Sequence, residues 1–122
     1  MAEHNLIGKK GEEKAIKYLQ ANGYKIRHCN WRHKKNEIDI ICEKNNQLIV
    51  VEVKTRTSEY FENPKEAVTK KKQKSIIKAT EAYIFEFDIQ FETRFDIISV
   101  TIIGNQINIE HIKDAYQPSL LI

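Results

Sequence analysis

Residues 37–54 read EIDIICEKNNQLIVVEVK, and this stretch decides how the chain folds. Two runs rich in Ile and Val, residues 37–43 and 47–54, flank the pair Asn45-Asn46. Asn tolerates the positive φ that tight hairpin turns require, so the stretch predicts two antiparallel strands joined by a two-residue turn. In the second strand both faces are apolar over most of its length, which is typical of a strand covered on both sides.

The predicted turn also determines which side chains face each other across the hairpin. With Asn45-Asn46 at its tip, Asp39 lies opposite Glu52. Cβ atoms of such pairs are about 4.5–5.5 Å apart, so two like charges destabilise the hairpin unless a cation compensates. A divalent ion such as Mg²⁺ suits one or two carboxylates plus water and phosphate oxygens, which predicts a metal site here. The alternative is that Glu52 and Lys54 only mark the point where the strand reaches solvent.

A first helix is predicted over residues 7–22, because apolar residues recur at helical spacing and Gly23 follows as a breaker. Its apolar face is formed by Ile7, Gly8, Gly11, Ala15, Tyr18 and Leu19. Glu12 falls within this face, whereas Glu13 points away. A carboxylate on a core-facing stripe is costly unless it is paired or metal-bound, so we predict Glu12 as a third acidic group at the site. The alternative is a glutamate at the edge of the stripe that extends into solvent.

A second helix is predicted to begin after Asn63, which can cap it, with Pro64 at its first position and Glu66 completing a capping box. Its apolar stripe is formed by Val68, Ser75, Ile76, Ala79, Ala82 and Tyr83. Lys72 lies on this stripe. Its amine would approach the acidic cluster or a phosphate group, unless the side chain extends outward to solvent.

Three further strands complete the predicted fold, one before the hairpin and two after the second helix. They are residues 24–31, 93–103 and 106–112. The resulting order, α-β-β-β-α-β-β, corresponds to an α/β sandwich built on a mixed central β-sheet. No repeat, low-complexity tract or Pro/Gly/Ser-rich linker interrupts the 122 residues, so we expect a single domain over residues 1–122.

The composition is typical of a globular protein in a reducing compartment. Hydrophobic residues make up 41% of the chain and charged residues 30%. No apolar run approaches the roughly 18 residues that span a bilayer, and the N-terminus has no apolar signal-peptide core. Two cysteines, Cys29 and Cys42, are too few for a disulfide scaffold. We therefore expect a cytoplasmic protein with no membrane partner.

The net charge is only +3, but the positive charge is concentrated in one segment. Between residues 54 and 78 the cationic residues are Lys54, Arg56, Lys65, Lys70, Lys71, Lys72, Lys74 and Lys78, against Glu59, Glu62 and Glu66. A basic segment in a nearly balanced chain is the electrostatic footprint of a protein that binds a phosphate backbone. A solvated, lysine-rich helix face is the alternative.

Several short motifs are spread over most of the chain. In order they are Gly8-x-x-Gly11-Glu12-x-x-Ala15, Asn30-Trp31-Arg32, Glu37-Ile38-Asp39, Val51-Glu52-Val53-Lys54, Ala67-Val68-Thr69, Lys72-Gln73 and Arg94-Phe95-Asp96. Together they resemble the YraN-like family of bacterial proteins. That family is similar to a minimal PD-(D/E)XK nuclease, with a core like that of archaeal Holliday-junction resolvases, which implies a restriction-endonuclease-like fold. In one departure, Asn36 stands where the family usually has Gly, and Asn also tolerates left-handed backbone.

The resemblance implies roles for the acidic residues and one lysine. Asp39 corresponds to the acidic residue of the superfamily motif, Glu52 to the second metal ligand and Lys54 to the motif's lysine. Glu12 corresponds to a helix-borne acidic residue. On this basis Asp39, Glu52 and the carbonyl of Val53 would hold one or two Mg²⁺ or Mn²⁺ ions, with Glu12 contributing directly or through water. Lys54 would orient the attacking water or stabilise developing negative charge.

The resemblance implies nuclease chemistry more firmly than it implies a substrate, and the expected reaction is hydrolysis of phosphodiester bonds in DNA, with RNA left open. Branched or structured DNA is one expected substrate class. Lys72-Gln73 correspond to a polar pair on the helix after the core strands. Together with Arg56, Lys70 and Lys74 they would hold the phosphate backbone, so no sequence readout is expected.

Two other functions remain as alternatives. One is a nucleic-acid-binding module that has the nuclease fold without catalysis. The other is an interaction protein, in which the apolar tail over residues 116–122 seals a homodimer. That tail ends in Leu120-Leu121-Ile122, which must pack either on the domain or on a partner.

Overall fold

The computed structural model describes residues 2–57 and 67–118, and only the backbone of residues 2–5. Its helices and strands are α1 (Ala2–Ala21), β1 (Lys25–His33), β2 (Asn36–Lys44), β3 (Gln47–Arg56), α2 (Lys70–Glu86), β4 (Glu92–Ile103) and β5 (Gln106–Tyr116). The predicted order α-β-β-β-α-β-β and the α/β sandwich are therefore confirmed. Among the described residues, no helix combines the length and the apolar character that a bilayer crossing requires.

The five strands form one mixed sheet in the order β1-β2-β3-β4-β5. β3 and β4 are parallel, and the other neighbouring strands are antiparallel. The parallel pair follows from α2, because a strand must cross over through a helix before it can return in the same direction. β5 runs beyond its predicted end at Ile112, since Asp114 adopts a left-handed φ of 52° and pairing resumes at Tyr116.

The β2–β3 hairpin has the predicted turn and register. Asn45 and Asn46 have φ values of 52° and 60°, as a two-residue turn with two left-handed positions requires. Behind the turn, Ile40 pairs with Val51. This register confirms that the two strands meet as the sequence predicts and places Asp39 one residue beyond the last recorded pair.

The two helices cover opposite faces of the sheet, and each face has its own apolar core. Buried residues of the α1 core are Ala15, Leu19, Tyr24, Ile40, Cys42, Ile49, Val51, Ile98 and Val100. The α2 core includes Ile38, Leu48, Val50, Ile76, Ala79, Tyr83, Phe95 and Ile97. β3 contributes alternate residues to both cores, so it is the doubly covered strand that its sequence predicts.

The predicted start of α2 is wrong. The helix begins at Lys70, and Thr69 caps it by accepting a hydrogen bond from the Lys72 amide at 3.1 Å. Before the cap, Val68 lies in a bend, and the Gln73 side-chain amide donates to its carbonyl oxygen at 3.0 Å. The helix therefore has Thr69 as its N-cap, and the threonine side chain accepts a hydrogen bond from the amide three residues later. The predicted cap residues Asn63, Pro64 and Glu66, and the tail's Leu120-Leu121-Ile122, lie outside the described residues.

Candidate functional site

Glu52 and Lys54 lie at the end of β3, on the sheet face that α2 covers. Glu52 is buried, with 5% of its surface exposed, and Lys54 is half-buried. The amine of Lys54 lies 3.9 Å from Glu52 Oε2. From the first turn of α2, the amine of Lys72 lies 3.9 Å from the same oxygen. The prediction that Lys72 approaches the acidic cluster is therefore confirmed.

Asp39 lies where β2 changes the face to which its side chains point. Ile38 belongs to the α2 core and Ile40 to the α1 core, although residues two apart on a regular strand share a face. Opposite this point on β1 is Asn30, whose φ of 53° is left-handed. Asp39 consequently lies between the two faces, and its Oδ2 accepts a hydrogen bond of 2.8 Å from the backbone N–H of Val53.

The carboxyl group of Asp39 lies close enough to Glu52 to affect the protonation of Glu52. Burial, followed by the charge of Asp39 and a hydrogen bond with it, raises the pKa of Glu52 to about 8, against the opposing effect of Lys72 and Lys54. Within the described part of the chain, Glu52 Oε1 is buried and has no hydrogen-bond partner. A buried carboxylate oxygen without a donor is costly, and a cation bound there would remove that cost.

Glu12 approaches the same point from the opposite face of the sheet. It is half-buried on α1, whereas Glu13 is exposed, as predicted. Burial, followed by the charge of Asp39, raises the pKa of Glu12, and a hydrogen bond from the Asn30 side chain lowers it. The close approach of α1 is possible because Gly11 lies directly against Thr55 of β3, where a Cβ atom would overlap the threonine side chain. Acidic groups from both faces therefore surround Asp39.

The donor set fits a hard divalent ion held by two carboxylates. Among residues 2–57 and 67–118, no three His, Cys, Asp or Glu side chains are close enough together to hold one metal ion. Glu12 therefore lies near Asp39 without forming a three-acid cluster with Asp39 and Glu52 among the described residues. Mg²⁺ commonly takes only one or two carboxylates and keeps several waters, so two carboxylates and the unpartnered Oε1 suit it.

The residues predicted to contact nucleic acid lie around the first turns of α2 and the end of β3. Lys70 and Lys74 are exposed, and Arg56 ends β3 beside Thr101 of β4. Gln73 differs from this group, because its amide is bound to the Val68 carbonyl and fixes the turn before the helix. The first turn of α2 carries no acidic residue. Lysines there are unfavourable beside the positive end of the helix dipole, and a bound anion would relieve them.

A second polar cluster, for which the sequence predicts no role, lies on the α1 face of the sheet. Asp96 is fully buried, and its carboxylate accepts hydrogen bonds from Arg94 at 2.8 and 2.9 Å and from the Asp114 amide at 3.0 Å. His111 Nε2 lies 2.7 Å from Asp96, and its Nδ1 lies 3.0 Å from the Tyr18 hydroxyl. Burial opposes ionisation, yet these hydrogen bonds lower the pKa of Asp96. The sequence signal that could have indicated this cluster is an acidic residue, Asp96, within the otherwise apolar run of β4.

Comparison with known proteins gives the family. The profile of the uncharacterised protein family UPF0102 matches residues 11–100. A UPF0102 protein of Phocaeicola vulgatus is 49% identical over 120 residues, covering 98% of this chain and 99% of that protein. A UPF0102 protein of Flavobacterium psychrophilum is 45% identical over 116 residues, covering 95% and 98%.

One solved structure, described as "Crystal structure of SSO0001", has a TM-score of 0.39 and 18% identity to this chain. It covers 98% of this chain, which spans 56% of that one. A likeness this loose carries no argument about function. The family match extends over most of the chain, and its relatives align from end to end. The chain therefore belongs to family UPF0102, the YraN-like family, which is a PD-(D/E)XK nuclease-like group.

Proposed function

We propose that this protein is a metal-dependent nuclease that hydrolyses phosphodiester bonds in DNA. The observation that carries the proposal is the state of Glu52, a buried carboxylate beside Asp39 with one oxygen that has no partner among the described residues. Such an arrangement is unfavourable for the folded chain by itself. Strongly perturbed carboxyl pairs of this kind are concentrated at functional sites, where a ligand compensates them.

The proposed metal site consists of residues that the hairpin brings together. Asp39, Glu52 and the carbonyl oxygen of Val53 would hold one or two Mg²⁺ or Mn²⁺ ions, and Glu12 would bind a coordinated water. When bound, such an ion lowers the pKa of a water molecule and neutralises charge on the phosphate group. The hydrogen bond from Val53 to Asp39 keeps one carboxylate oxygen in place before any ligand arrives.

Lys54 would supply positive charge to the reacting phosphate. Its amine already lies within 3.9 Å of Glu52 and is partly exposed, so it can contact both the site and a bound substrate. At this position an ammonium group stabilises negative charge that develops on phosphate oxygens, or orients the attacking water. Lys72 lies equally close to Glu52 from α2 and would assist from the other side.

The remaining basic residues would hold the substrate without selecting a sequence. Arg56 ends β3, and Lys70 and Lys74 lie in the first turns of α2, the helix whose Lys72 contacts Glu52. Long cationic side chains of this kind contact phosphate oxygens, which position the nucleic acid but carry no sequence information. Branched or structured DNA is therefore among the substrates to be tested, because its recognition depends on shape.

A cleavage assay tests the proposal. Wild type, Asp39→Ala, Glu52→Ala and Lys54→Met would be incubated with Mg²⁺ or Mn²⁺ and with duplex, single-stranded, flap or four-way-junction DNA. We expect cleavage by wild type, its loss in both acid variants, and a reduction of about 100-fold or more in Lys54→Met. Glu13→Ala, which changes an exposed glutamate next to Glu12, is the matched control and should cleave normally.

Binding of the metal gives an independent measurement. Mn²⁺ should raise the melting temperature of wild type and of Lys54→Met, but not of Glu52→Ala, because a ligand that binds only the folded state stabilises it. Equal cleavage by all variants would indicate a contaminating nuclease. No cleavage by any of them would favour the non-catalytic nucleic-acid-binding module.

A further inference from the structure

A cleft opens between the β1–β2 turn and α2, on the sheet face that carries Glu52. Its volume is about 530 Å³. Its walls are formed by His33, Lys34, Lys35, Asn36, Lys78 and Glu81. The two-residue turn presents Lys34 and Lys35 at its tip, and Lys34 has a left-handed φ of 56° that keeps the turn tight.

Three lysines of the cleft form no ion pair in the described part of the chain. Lys34, Lys35 and Lys78 are exposed, and none of their amines forms an ion pair there, although Glu81 lines the same cleft. Arg32 differs, because it pairs with Glu37 at 3.1 Å. Clustered cations of like sign repel one another, so an anion entering the cleft would be favoured.

The cleft lies in line with the candidate active site. From Asn36, on the cleft wall, β2 runs three residues to Asp39, a distance of about 10 Å at about 3.3 Å per residue. One strand of B-DNA advances about 3.4 Å per nucleotide along the helix axis. Neighbouring phosphates are farther apart than this axial advance because the strand also winds around the axis, so a strand whose phosphate lies at Asp39 would bring a phosphate to the cleft within about three nucleotides.

A row of lysines on α2 extends from the candidate active site to the cleft. Lys71, Lys74 and Lys78 are spaced by three and four residues, so they share one side of the helix, and all three are exposed. The row covers about 10 Å, at 1.5 Å per residue, from the turn that carries Lys72 to the wall of the cleft. The spacing of the cations along α2 thus matches the distance along β2.

The aromatic residues near the cleft do not offer a surface for stacking bases. Trp31 packs edge-on against Tyr83, with ring centroids 5.1 Å apart, and also contacts Phe87. His33 covers Trp31 in a nearly parallel arrangement, at 6.3 Å and 8°. Because the indole is packed within the protein, the cleft offers mainly amines, which suit phosphate groups.

We propose that this cleft binds the phosphate backbone of the nucleic acid within about three nucleotides of the scissile bond. The inference rests on the proposed function for the location of that bond. Lys34, Lys35 and Lys78 each contact a phosphate oxygen, and Lys71 and Lys74 extend the contact toward the acidic pair. Each phosphate contact releases bound counterions, so the cleft makes the affinity for DNA more sensitive to salt.

The salt dependence of DNA binding tests the inference without any cleavage. Full-length protein would be titrated into a fluorescein-labelled duplex in EDTA at several NaCl concentrations, and binding would be followed by anisotropy. The cleft variant is Lys34→Gln/Lys35→Gln/Lys78→Gln. We expect its slope of log K against log salt to be smaller by about 2–3, because each duplex phosphate contact contributes about 0.9.

A control variant with the same change of net charge keeps the test specific. Lys14→Gln/Lys17→Gln/Lys113→Gln removes three lysines from α1 and β5, away from the cleft, and should keep the wild-type slope. Equal slopes for the two triple variants would overturn the inference, as would a wild type that does not bind DNA. If the cleft triple is poorly folded, Lys34→Gln/Lys35→Gln should lower the slope by about 2.

The two proposals can fail separately. A reduced slope in the cleft variant, combined with no cleavage by wild type, would support this binding site and contradict the nuclease proposal. Cleavage that is lost in Asp39→Ala, combined with equal slopes for both triple variants, would support the nuclease and contradict the cleft.

Discussion

Glu52 occupies an unfavourable environment for a carboxylate in the metal-free chain. Burial raises its pKa to about 8, and the neighbouring charge of Asp39 adds to the effect. The folded state therefore holds a proton on Glu52 that the unfolded state has already released at neutral pH. In thermodynamic terms, the burial of Glu52 lowers the stability of the fold, and the proposed cation would restore that stability.

This environment predicts a pH dependence of stability in EDTA. Because the folded chain binds more protons than the unfolded chain between the ordinary pKa of 4.5 and about 8, the free energy of unfolding should fall as pH rises through that range. The slope should approach, at most, about 1.4 kcal/mol per pH unit. In Glu52→Gln this contribution should be absent, and the variant should be more stable than wild type at the upper end. Urea denaturation at several pH values measures it.

The exposed Glu13→Gln on α1 is the control for this measurement and should keep the wild-type slope. Identical pH profiles for wild type and Glu52→Gln would show that Glu52 is not the buried acid described here. Adding Mn²⁺ should reverse the order of stability, because only wild type retains both carboxylate ligands.

Individual site residues could be predicted from the sequence where a simple periodicity applies. The opposition of Asp39 and Glu52 follows from a two-residue turn, and the position of Glu12 follows from helical spacing. At Asp39, the side chains of β2 change the sheet face to which they point, and this could not be predicted. Strict strand alternation assumes a regular strand, whereas Asn30 on the neighbouring strand has a left-handed backbone. The buried role of Asp96 was missed because two of its partners, His111 and the Asp114 amide, come from a different strand.

At the scale of secondary-structure elements, the approach of α1 to β3 positions Glu12. Gly11 lies against Thr55, and the absence of a side chain allows the helix to lie directly on the strand. Gly8, one turn earlier, has nothing within 4 Å of the place where a Cβ atom would lie. The same residue type therefore serves packing at one position and only lowers helix propensity at the other.

The two glycines predict opposite effects of the same substitution. Gly8→Ala should raise the free energy of unfolding by about 0.5–1 kcal/mol, because alanine is the better helix former and meets open space. Gly11→Ala should lower it by about 1–3 kcal/mol, because the added methyl group overlaps Thr55 and moves α1. Urea denaturation of both variants beside wild type measures the difference. Two variants of equal stability would contradict the close contact.

Helices and strands could be predicted where the hydrophobic periodicity is clear, but the residues at which they begin and end were harder to predict. The strands and both helices were found, but α2 begins at Lys70, after the predicted cap at Asn63. Two capping signals stand six residues apart, at Asn63 and Thr69, and local sequence does not rank them. The cap at Thr69 is favoured because Val68 is buried in the core and the Gln73 side chain donates a hydrogen bond to the Val68 carbonyl.

At the scale of the whole molecule, the Asp96 cluster joins parts that are far apart in sequence. On the α1 face of the sheet, the cluster brings together Tyr18 of α1, Arg94 and Asp96 of β4, and His111 of β5. Arg94 also donates a hydrogen bond to the Tyr24 hydroxyl at 3.0 Å. Strand order could not be predicted from the sequence for a related reason. Alternating side chains indicate which residues share a face but do not indicate which strand lies beside which.

Removing the charge of Asp96 should destabilise the entire fold. In Asp96→Asn the half-buried Arg94 loses its counter-charge, and breaking a buried ion pair in this way costs about 3–5 kcal/mol. The urea midpoint should fall with little change in the dependence of stability on urea concentration. Asp88→Asn, an exposed control, should stay within about 0.5 kcal/mol of wild type. A small effect of Asp96→Asn would mean that the cluster is not a single unit.

The parallel pairing of β3 with β4 has a consequence for the growing chain on the ribosome. Glu12, Asp39 and Glu52 are all synthesised before α2 and β4, yet Glu52 is buried only when Ile97 pairs beside it and α2 covers its face. Until then its carboxylate remains hydrated, as in any unfolded peptide. An unfinished chain therefore already contains Glu12, Asp39 and Glu52 without the arrangement of the candidate site. The acidic side chains are therefore synthesised first, and their arrangement is completed only when α2 and β4 have folded onto the earlier strands.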